Sequence, residues 1–394
     1  MSFAQALEQT SPPEQHFGFA KFQAFLQALW TLAAQKGISR ETFDSVLAEL
    51  QPDPTIAAET QTQTEFERPL KAYLGEAVSA RRIARGKAGL QQWHKELSVI
   101  ESRYGVPAEI LIAAYGMESD FGKAMGEKDV LRSLATLAYL RPDRPNFQDE
   151  FIDAIWLFEK GGLARPTLRG SWAGAMGGPQ FLPSAYRKYA VRFTGEGAPD
   201  IWNDPRDTLA SIANFLRQSG WQPGLTWGME VRLPQNFRFA ALHESFATCA
   251  AEGVKSRTDK PFPQGDATLF LPSGASGPAF LLSANYWILK AYNNSDSYAL
   301  SLGLLADRIK GGPPLAGQWP EAEVFLSRAQ KADIQQLLAR LGFYQGEIDG
   351  RFGQASRDAI HAFQIQFGEM PADGFATPEL LNRLKEAAGQ TPPP

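Results

Sequence analysis

The stretch that decides the fold reads Ile110-Leu111-Ile112-Ala113-Ala114-Tyr115-Gly116-Met117-Glu118-Ser119-Asp120-Phe121-Gly122. Its apolar residues lie on every side of the helix that they predict, and Pro107 suits the first helical position because its missing N–H has no partner there anyway. Since a helix that is apolar all round is buried, Glu118 ends a core element. Burial and the carbonyl end of the helix both favour a protonated carboxyl, which can act as a general acid.

A simpler interpretation of Glu118 is open at this point. A glutamate in the last turn of a helix can turn its carboxylate to solvent, and carboxyls in unusual environments are often structural. This segment alone favours the simpler interpretation, so the choice depends on the rest of the chain.

Size and composition indicate a soluble globular protein of two or three domains. The chain has 394 residues, is 44% hydrophobic and carries a formal net charge of -4. Its apolar runs are far shorter than the ~20 residues that span a bilayer, and no Lys/Arg cluster forms a nucleic-acid-binding stripe. The N-terminus lacks a basic region followed by an apolar one, so we expect either a cytoplasmic protein or one that begins after a removed signal.

Metal, cofactor and serine-hydrolase chemistry find no support in the sequence. Cys249 is the single cysteine, and it predicts a small core residue rather than a disulfide or a cysteine-rich metal site. The histidines are scattered, and none shows the spacing of a zinc protease. The segment Gly274-Ala275-Ser276-Gly277-Pro278 misses the G-x-S-x-G elbow at its last position.

Most of the chain before residue 220 predicts helices. Periodic apolar residues favour helices over 17–34, 39–50, 86–104, 130–140, 147–160 and 205–219. The polar segment 55–85 is interpreted as a loop leading into a short helix. Short apolar runs predict strands at Glu230–Leu233 and Thr268–Leu271, so we expect a small strand-containing insertion at about 227–282 before helices resume over 284–310.

A second, smaller domain follows a linker. The predicted division is an N-terminal helical part over 1–85, a core over 86–312, a linker over 313–322, a compact helical unit over 323–386 and a disordered tail over 387–394. The compact unit contains two Asp-Gly turns, each followed within a few residues by a Ser or Thr suited to capping a helix. This pattern is a weak internal repeat.

Two further stretches carry candidate chemistry. Residues 170–184 are rich in glycine, which lets backbone approach a ligand closely or take positive φ, but they match neither the G-x-G-x-x-G nor the P-loop spacing. Residues 292–298 place two phenols and two amides together, and flat rings with hydrogen-bonding groups suit a sugar. Each stretch alone is more often a tight helix connection or a polar loop.

Several separated stretches, in this order, resemble the B-type lytic murein transglycosylases, which have a lysozyme-like fold. They are Glu118-Ser119 with Phe121-Gly122, Gly170–Tyr189, Asn203–Trp221 and Tyr292–Tyr298. The C-terminal unit resembles the three-helix peptidoglycan-binding domain at Gln335–Leu338, Leu341–Tyr344, Asp349–Gly353 and Ala362–Gln364. The resemblance implies a mainly α protein: extra N-terminal helices, a lysozyme-like catalytic domain with a small strand-containing insertion, and a small wall-binding domain.

The resemblance also implies the roles of individual residues. Glu118 is the catalytic acid/base, which reverses the simpler interpretation given above. Ser171 and Gln180 line the cleft beside it, and Phe215 takes a position where the family can carry an aromatic residue of the wall, although it lacks a hydroxyl. The residues expected to contact sugar around the scissile bond are Tyr292, Asn293 and Tyr298.

The reaction implied by the resemblance is non-hydrolytic cleavage of the β-1,4 bond between N-acetylmuramic acid and N-acetylglucosamine in peptidoglycan, which leaves 1,6-anhydromuramic acid ends. Most glycosidases use two carboxylates, but Asp120 is two positions from Glu118 on the helix and points elsewhere, so no persuasive second carboxylate is found. A hydrolytic muramidase with the same cleft and a non-catalytic wall-binding protein are the alternatives.

Partners and cofactors follow from the same resemblance. We expect peptidoglycan glycan strands as the partner, a periplasmic location, a monomer, and no nucleic acid, membrane span or cofactor. The family can carry a calcium loop, but Arg192 stands where the first acidic ligand belongs and Ala198 supplies no side-chain oxygen, so we expect no metal site. The C-terminal domain is expected to tether the enzyme to insoluble wall.

Overall fold

The computed structural model describes residues 18–56, 59, 70–258, 260–321 and 326–389. Contacts divide the chain into two units, the first from Met1–Phe66 and Ala80–Trp221 and the second from Glu67–Ser79 and Gln222–Pro394. Parts of the sequence-based division lie outside the described residues: the N-terminus that was searched for a signal, most of the loop expected after residue 55, and the tail from residue 390.

The fold is mainly α, as the sequence predicts. The described helices are, in chain order, α1 (Phe19–Ala28), α2 (Trp30–Gln35), α3 (Arg40–Ala48), α4 (Leu70–Ala77), α5 (Ala80–Gln92), α6 (His94–Tyr104), α7 (Ala108–Ser119), α8 (Val130–Leu140), α9 (Pro145–Glu159), α10 (Pro183–Tyr189), α11 (Pro205–Gln218), α12 (Phe246–Ala251), α13 (Ala284–Ala291), α14 (Asp296–Lys310), α15 (Arg328–Arg340), α16 (Gln354–Phe367) and α17 (Pro378–Ala387).

Short strands interrupt the helices, mainly in the second unit. They are β1 (Lys128–Asp129), β2 (Arg169–Gly170), β3 (Gly228–Arg232), β4 (His243–Ser245), β5 (Lys255–Ser256), β6 (Asp266–Phe270) and β7 (Ala279–Leu282). Strands β1 and β2 pair in the first unit, and the others form an antiparallel sheet with the order β4-β6-β7-β3-β5. Its register places Glu230 opposite Phe280. The small strand-containing insertion expected from the sequence is confirmed.

Helix α7 is buried along nearly its whole length. Every residue from Ile110 to Ser119 is buried, and α5, α6 and α11 of the same unit pack around it. Each fully buried Leu or Ile side chain contributes roughly 1.5–3 kcal/mol of transfer free energy, so this helix is a main anchor of the unit. The buried helix is as predicted, but Pro107 is the N-cap residue (ψ 141°) rather than the first helical residue.

Two predicted helices are divided in the structure. The run 17–34 breaks at Leu29 and the run 86–104 at Trp93. Apolar residues keep a helical period across each break, so the pattern does not reveal it. The polar segment 55–85 holds α4 and the start of α5, since Ala and Arg favour helix even where few side chains are buried.

In the second unit an apolar core lies between the sheet and α12. Val231, Leu281 and Phe246 are buried in it together with Cys249. Burial raises the pKa of the Cys249 thiol to about 11, so the thiol stays neutral at physiological pH. Cys249 is therefore the small core residue that the sequence predicts.

Part of the predicted linker is held against the sheet of the second unit. The carboxylate of buried Glu230 accepts hydrogen bonds from the backbone N–H of Ala316 at 3.0 Å and of Gly317 at 2.5 Å. Because backbone amides satisfy this carboxylate, the segment is fixed at these two residues.

Helices α15, α16 and α17 form the C-terminal helical domain that the sequence predicts, around a core of their own.

The weak internal repeat of this domain has a structural basis in two buried glutamines. The side-chain oxygen of Gln335 accepts a hydrogen bond from Gly350 N, and that of Gln364 accepts one from Gly374 N, each at 2.8 Å. Each glutamine therefore holds one of the two Asp-Gly turns.

Candidate active site

Glu118 lies in the last turn of α7 and is 8% exposed. The chain then reverses through two consecutive residues in the left-handed region, Asp120 (φ 47°) and Phe121 (φ 56°). The backbone N–H of Phe121 donates to the Tyr115 carbonyl at 3.2 Å, which closes the helix. The turn thereby fixes the backbone from which the Glu118 side chain projects.

Arg85 of α5 holds this turn. Its guanidinium forms an ion pair with the Asp120 carboxylate (2.5 Å) and donates to the Asp120 carbonyl (2.7 Å). It also lies 4.8 Å from the centroid of the Phe121 ring, in a cation–π contact. The ring fills the space over Gly116, where an added Cβ would be 2.5 Å away. The role of Arg85 is not predicted from the sequence, because an arginine on a polar helix usually faces solvent and its partner is 35 residues away.

The Gly-rich segment packs against α7 and the residues that follow it. Gly126 approaches Gly170 so closely that an added Cβ would lie 2.2 Å from the Gly170 carbonyl oxygen. A Cβ on Gly178 would lie 3.0 Å from the ring of Tyr115. Glycine is needed here for close approach, as the sequence indicates, and the approach observed is to the protein's own residues.

Ser171 and Gln180 both lie in this region of contact. Ser171 is half-buried, and its Oγ accepts a hydrogen bond from Ala175 N at 3.1 Å. Gln180 is 7% exposed, takes a positive φ of 51°, and donates from Nε2 to the carbonyls of Met125 (3.0 Å) and Gly177 (2.9 Å). The structure thus brings both residues to Met125 and Gly126, in the segment that follows α7, whereas their contact with a sugar stays a prediction.

Phe215 projects from α11 into a group of aromatic rings. Its ring centroid is 4.9 Å from that of Tyr189 and 5.9 Å from that of Phe181. Phe181 directly follows Gln180, so the aromatic group continues from the Gly-rich segment. The first unit therefore contains a half-buried aromatic cluster next to the predicted cleft residues, and its contact with substrate stays a prediction.

Tyr292, Asn293 and Tyr298 belong to the second unit, around the connection between α13 and α14. The rings of Tyr292 and Tyr298 stack with centroids 6.1 Å apart and an angle of 22° between their planes. Asn293 is half-buried, Tyr292 is 7% exposed and Tyr298 is 0% exposed. The Tyr298 ring therefore has no exposed surface and packs against the Tyr292 ring, and the contact of these three residues with sugar stays a prediction.

The loop that was compared with a calcium loop, residues 192–200, is organised around the guanidinium of Arg192. Arg192 Nη1 donates to the Ala198 carbonyl at 2.9 Å and lies 3.4 Å from Asp207 Oδ2. The buried Asp207 carboxylate also accepts hydrogen bonds from Phe193 N (2.8 Å) and Asp200 N (2.7 Å). The guanidinium therefore supplies the positive charge that faces this carboxylate.

The described residues bear on the metal and membrane expectations. Among the residues that the structure describes, no group of three or more His, Cys, Asp or Glu side chains could hold a metal ion. Within the same described ranges, no helix combines the length and the apolar character needed to cross a membrane.

The chain matches two protein-family models. The model described as Transglycosylase SLT domain matches residues 21–307. The model described as Putative peptidoglycan binding domain matches residues 327–384. The first match covers well over half of the chain, and the second covers the C-terminal helices.

The chain is also similar to solved structures and to a curated protein. SltB3 from Pseudomonas aeruginosa, solved in complex with NAG-NAM-pentapeptide and with NAG-anhNAM-pentapeptide, is 42% identical, and the match covers 92% of this chain and 99% of that chain with a TM-score of 0.82. The Escherichia coli lytic transglycosylase SLT35, in complex with calcium, is 26% identical over 74% of this chain and 93% of that chain, with a TM-score of 0.62. The Membrane-bound lytic murein transglycosylase B of Escherichia coli (strain K12) is 30% identical over 243 residues, which span 60% of this chain and 66% of that protein.

Proposed function

Because this chain belongs to the transglycosylase SLT domain family, we propose that it is a lytic transglycosylase that cleaves the β-1,4 bond between N-acetylmuramic acid and N-acetylglucosamine without consuming water. The lysozyme-like fold and the C-terminal peptidoglycan-binding domain expected from the sequence are confirmed. The complexes of SltB3 with NAG-NAM-pentapeptide and with its anhydro form support this substrate and this product.

Glu118 is the acid/base of the proposal, and its position is the observation that carries the role. Glu118 is 8% exposed in the last turn of an apolar helix, and the Gly-rich segment packs against Tyr115 of the same helix. An apolar setting favours the neutral form of a carboxyl, which has a proton to give. Glu118 donates that proton to the glycosidic oxygen as the bond to C1 of N-acetylmuramic acid breaks. The proton stays on the departing N-acetylglucosamine as part of its new hydroxyl.

The second proton transfer runs in the opposite direction. The N-acetyl carbonyl of the substrate supports the cationic C1. The Glu118 carboxylate then takes the proton of the C6 hydroxyl, whose oxygen attacks C1 and closes the 1,6-anhydro ring. One proton leaves Glu118 and one returns, so the enzyme is restored with no water used. A single carboxyl suffices, and Asp120, two residues further along the chain, is engaged by Arg85 at 2.5 Å.

The cleft residues proposed in the first unit are Ser171, Gln180 and Phe215. In the second unit Tyr292 and Asn293 contact sugar directly. Tyr298 is fully buried and stacks on Tyr292, so its part is to support that ring rather than to touch the glycan.

Location, assembly and domain division complete the proposal. The protein acts in the periplasm, as a monomer, on peptidoglycan glycan strands and without a cofactor. The proposed division is an N-terminal helical part (1–85), a catalytic core (86–312), a linker (313–322) and a peptidoglycan-binding domain (323–386). The family matches, which end at 307 and resume at 327, support the boundary at the linker.

A pair of matched substitutions on α7 tests the role of Glu118. Glu118→Gln keeps the shape of the side chain but removes the acid, so cleavage of purified sacculi, followed as loss of turbidity, should fall by about 10²- to 10⁴-fold. Glu109→Gln makes the same change in the first turn of the same helix and should leave the rate unchanged. Binding of both variants to sacculi should match the unmodified protein. Substantial turnover by Glu118→Gln would overturn the assignment.

A further inference from the structure

A largely buried ion pair joins the C-terminal helical domain to residues 292–298 of the second unit, the segment proposed to contact sugar. Arg357 of α16 donates from Nη2 to Oδ2 of Asp296, the first residue of α14. The two side chains are 16% and 14% exposed. Asp296 lies between Tyr292 and Tyr298 in the sequence. The ion pair therefore involves the middle of residues 292–298, the segment proposed to contact sugar.

Asp296 also connects the start of α14 to α13, the helix that precedes this segment. Its Oδ1 accepts a hydrogen bond from Tyr286 Oη at 2.9 Å and forms an ion pair with Lys290 Nζ at 2.9 Å. Both partners lie on α13, which precedes the segment. Burial alone would raise the pKa of Asp296, but the charges of Arg357 and Lys290 outweigh it and hold the pKa at about 2. The carboxylate is therefore charged throughout the physiological range.

Arg357 also contacts the sheet. Its guanidinium lies 4.7 Å from the centroid of the Phe270 ring, at the end of β6. Such a contact orients the planar guanidinium as well as attracting its charge. The side chain of Arg357 is thereby fixed from two sides, by the sheet and by the start of α14.

The C-terminal domain has other attachments to this unit that do not involve Arg357. Asp373 Oδ2 accepts a hydrogen bond from Ala275 N at 2.8 Å. The Nε2 of His361 lies 2.8 Å from the carbonyl oxygen of Phe239. A Cβ added to Gly374 would be 3.0 Å from Leu242. Because these contacts hold the domain in place, loss of Arg357 removes the tie to Asp296 without releasing the domain.

We propose that Arg357 is a positioning residue of the sugar site, which holds Tyr292 and Asn293 in place through Asp296. The peptidoglycan-binding domain then positions residues 292–298 of its own unit in addition to binding the wall. Without the guanidinium, Asp296 keeps Lys290 and Tyr286 but loses its partner in the C-terminal domain, and the first turn of α14 is free to shift. The inference rests on the proposed function, because the segment matters to catalysis only if it binds glycan.

Amide hydrogen exchange of the full chain tests whether the Arg357–Asp296 ion pair holds the neighbouring backbone in place. The variant Arg357→Met removes the charge at similar length, and Arg383→Met is the matched control, an arginine of the same domain whose ion pairs are with Glu369 and Glu386 on the surface. Amides of residues 290–299 should exchange faster in Arg357→Met and at the unmodified rate in Arg383→Met. Arg357→Lys keeps the charge and should fall between them.

Kinetics on a soluble glycan test the consequence for the reaction. Arg357→Met should raise KM on the order of tenfold with a much smaller change in kcat, because the bound sugar loses oriented contacts while Glu118 is untouched. Arg357→Lys should restore part of the loss, and binding to sacculi should be unchanged in all variants. A merely structural role would lower the amount of active protein, and hence the apparent kcat, without this rise in KM.

The outcomes separate this inference from the proposed function. Unchanged exchange over 290–299 in Arg357→Met would overturn the positioning role whatever the activity, and so would faster exchange with an unchanged KM. Loss of sacculus binding alone would also overturn it. If the unmodified protein cleaves no glycan, the proposed function fails, and with it the role in the reaction, although exchange still reports the tie. If Arg357→Met does not fold, Arg357→Lys carries the same test with smaller expected changes.

Discussion

The guanidinium of Arg85 donates to the backbone carbonyl of Asp120 across 2.7 Å, two residues beyond Glu118. It therefore anchors a turn in which two consecutive non-glycine residues, Asp120 and Phe121, take left-handed backbone conformations. Each such residue costs roughly 1–2 kcal/mol, so the turn persists only because neighbouring contacts hold it. Arg85 also neutralises the carboxylate of Asp120, which would otherwise add negative charge near Glu118.

Substitution of Arg85 should damage catalysis more than wall binding. We expect Arg85→Met to lower kcat by about 10- to 100-fold, since a displaced acid no longer meets the glycosidic oxygen at the right distance. The control is Arg103→Met on α6, where the arginine lies over the ring of Tyr104. Rates on soluble glycan and pelleting with sacculi are the measurements. Full kcat in a folded Arg85→Met variant would show that the turn does not depend on this arginine.

Two glycines with similar backbone angles should respond differently to alanine. Gly126 (φ 82°) and Gly195 (φ 80°) both carry positive φ, but an added Cβ meets the Gly170 carbonyl at 2.2 Å in the first case and nothing within 4 Å in the second. Both substitutions should cost about 1–2 kcal/mol from backbone strain. Gly126→Ala should cost about 1–3 kcal/mol more from crowding, and it should lower activity because it separates the Gly-rich segment from the end of α7. Chemical denaturation and rate measurements check this, and equal effects at both sites would contradict it.

The parts of the fold that sequence predicts well are those with a local cause. The run from Ile110 to Met117 is apolar on every side, which by itself requires burial, and Asp204 with Pro205 marks the start of α11 through capping chemistry. Breaks such as that at Trp93 are not predicted, because the apolar period continues across them.

In the candidate site, too, features with a local cause are predicted from the sequence and features that depend on distant partners are not. The glycines of 170–178 indicate close approach by composition alone, but not which residue they approach. Arg85 and Arg357 gain their importance from partners 35 and 61 residues away, and an isolated arginine in a polar helix gives no sign of this. The burial of Tyr298 also follows from tertiary packing, since its own neighbours in sequence are partly polar.

Calcium should have no effect on stability. Arg192 already provides a positive charge 3.4 Å from the buried Asp207 carboxylate, so a divalent cation would have to displace this guanidinium to bind there. The melting temperature should be the same in millimolar calcium and in chelator. A rise with calcium that Arg192 variants abolish would contradict this account of the loop.

The same loop makes Arg192 a stabilising residue. Arg192→Met leaves the buried Asp207 carboxylate with backbone amides alone and should lower the free energy of unfolding by about 1–3 kcal/mol. Glu196→Gln, an exposed change in the same loop, should have little effect. Thermal unfolding of both variants is the measurement, and equal melting temperatures would show that the guanidinium contributes nothing.

Stability near Asp296 should depend on pH in a defined direction. Its pKa is about 2 in the folded protein and about 3.9 in an unfolded chain, so its charge stabilises the fold above about pH 4 and the contribution disappears as pH falls toward 2. The contribution lost is about 2–3 kcal/mol. The stability difference between the unmodified protein and Asp296→Asn should be constant from about pH 7 to pH 5 and then shrink. Asp266→Asn, at an exposed position of β6, serves as the control, because it removes a carboxylate that takes no part in the ion pairs of Asp296.

The most direct test of the central claim is mass spectrometry of the muropeptides released from purified sacculi in water labelled with oxygen-18. Glu118 acting as both acid and base predicts 1,6-anhydromuramic acid ends with no incorporated label, and no release by Glu118→Gln. Reducing muramic acid ends that carry the label would identify a hydrolytic muramidase instead, and would contradict the account.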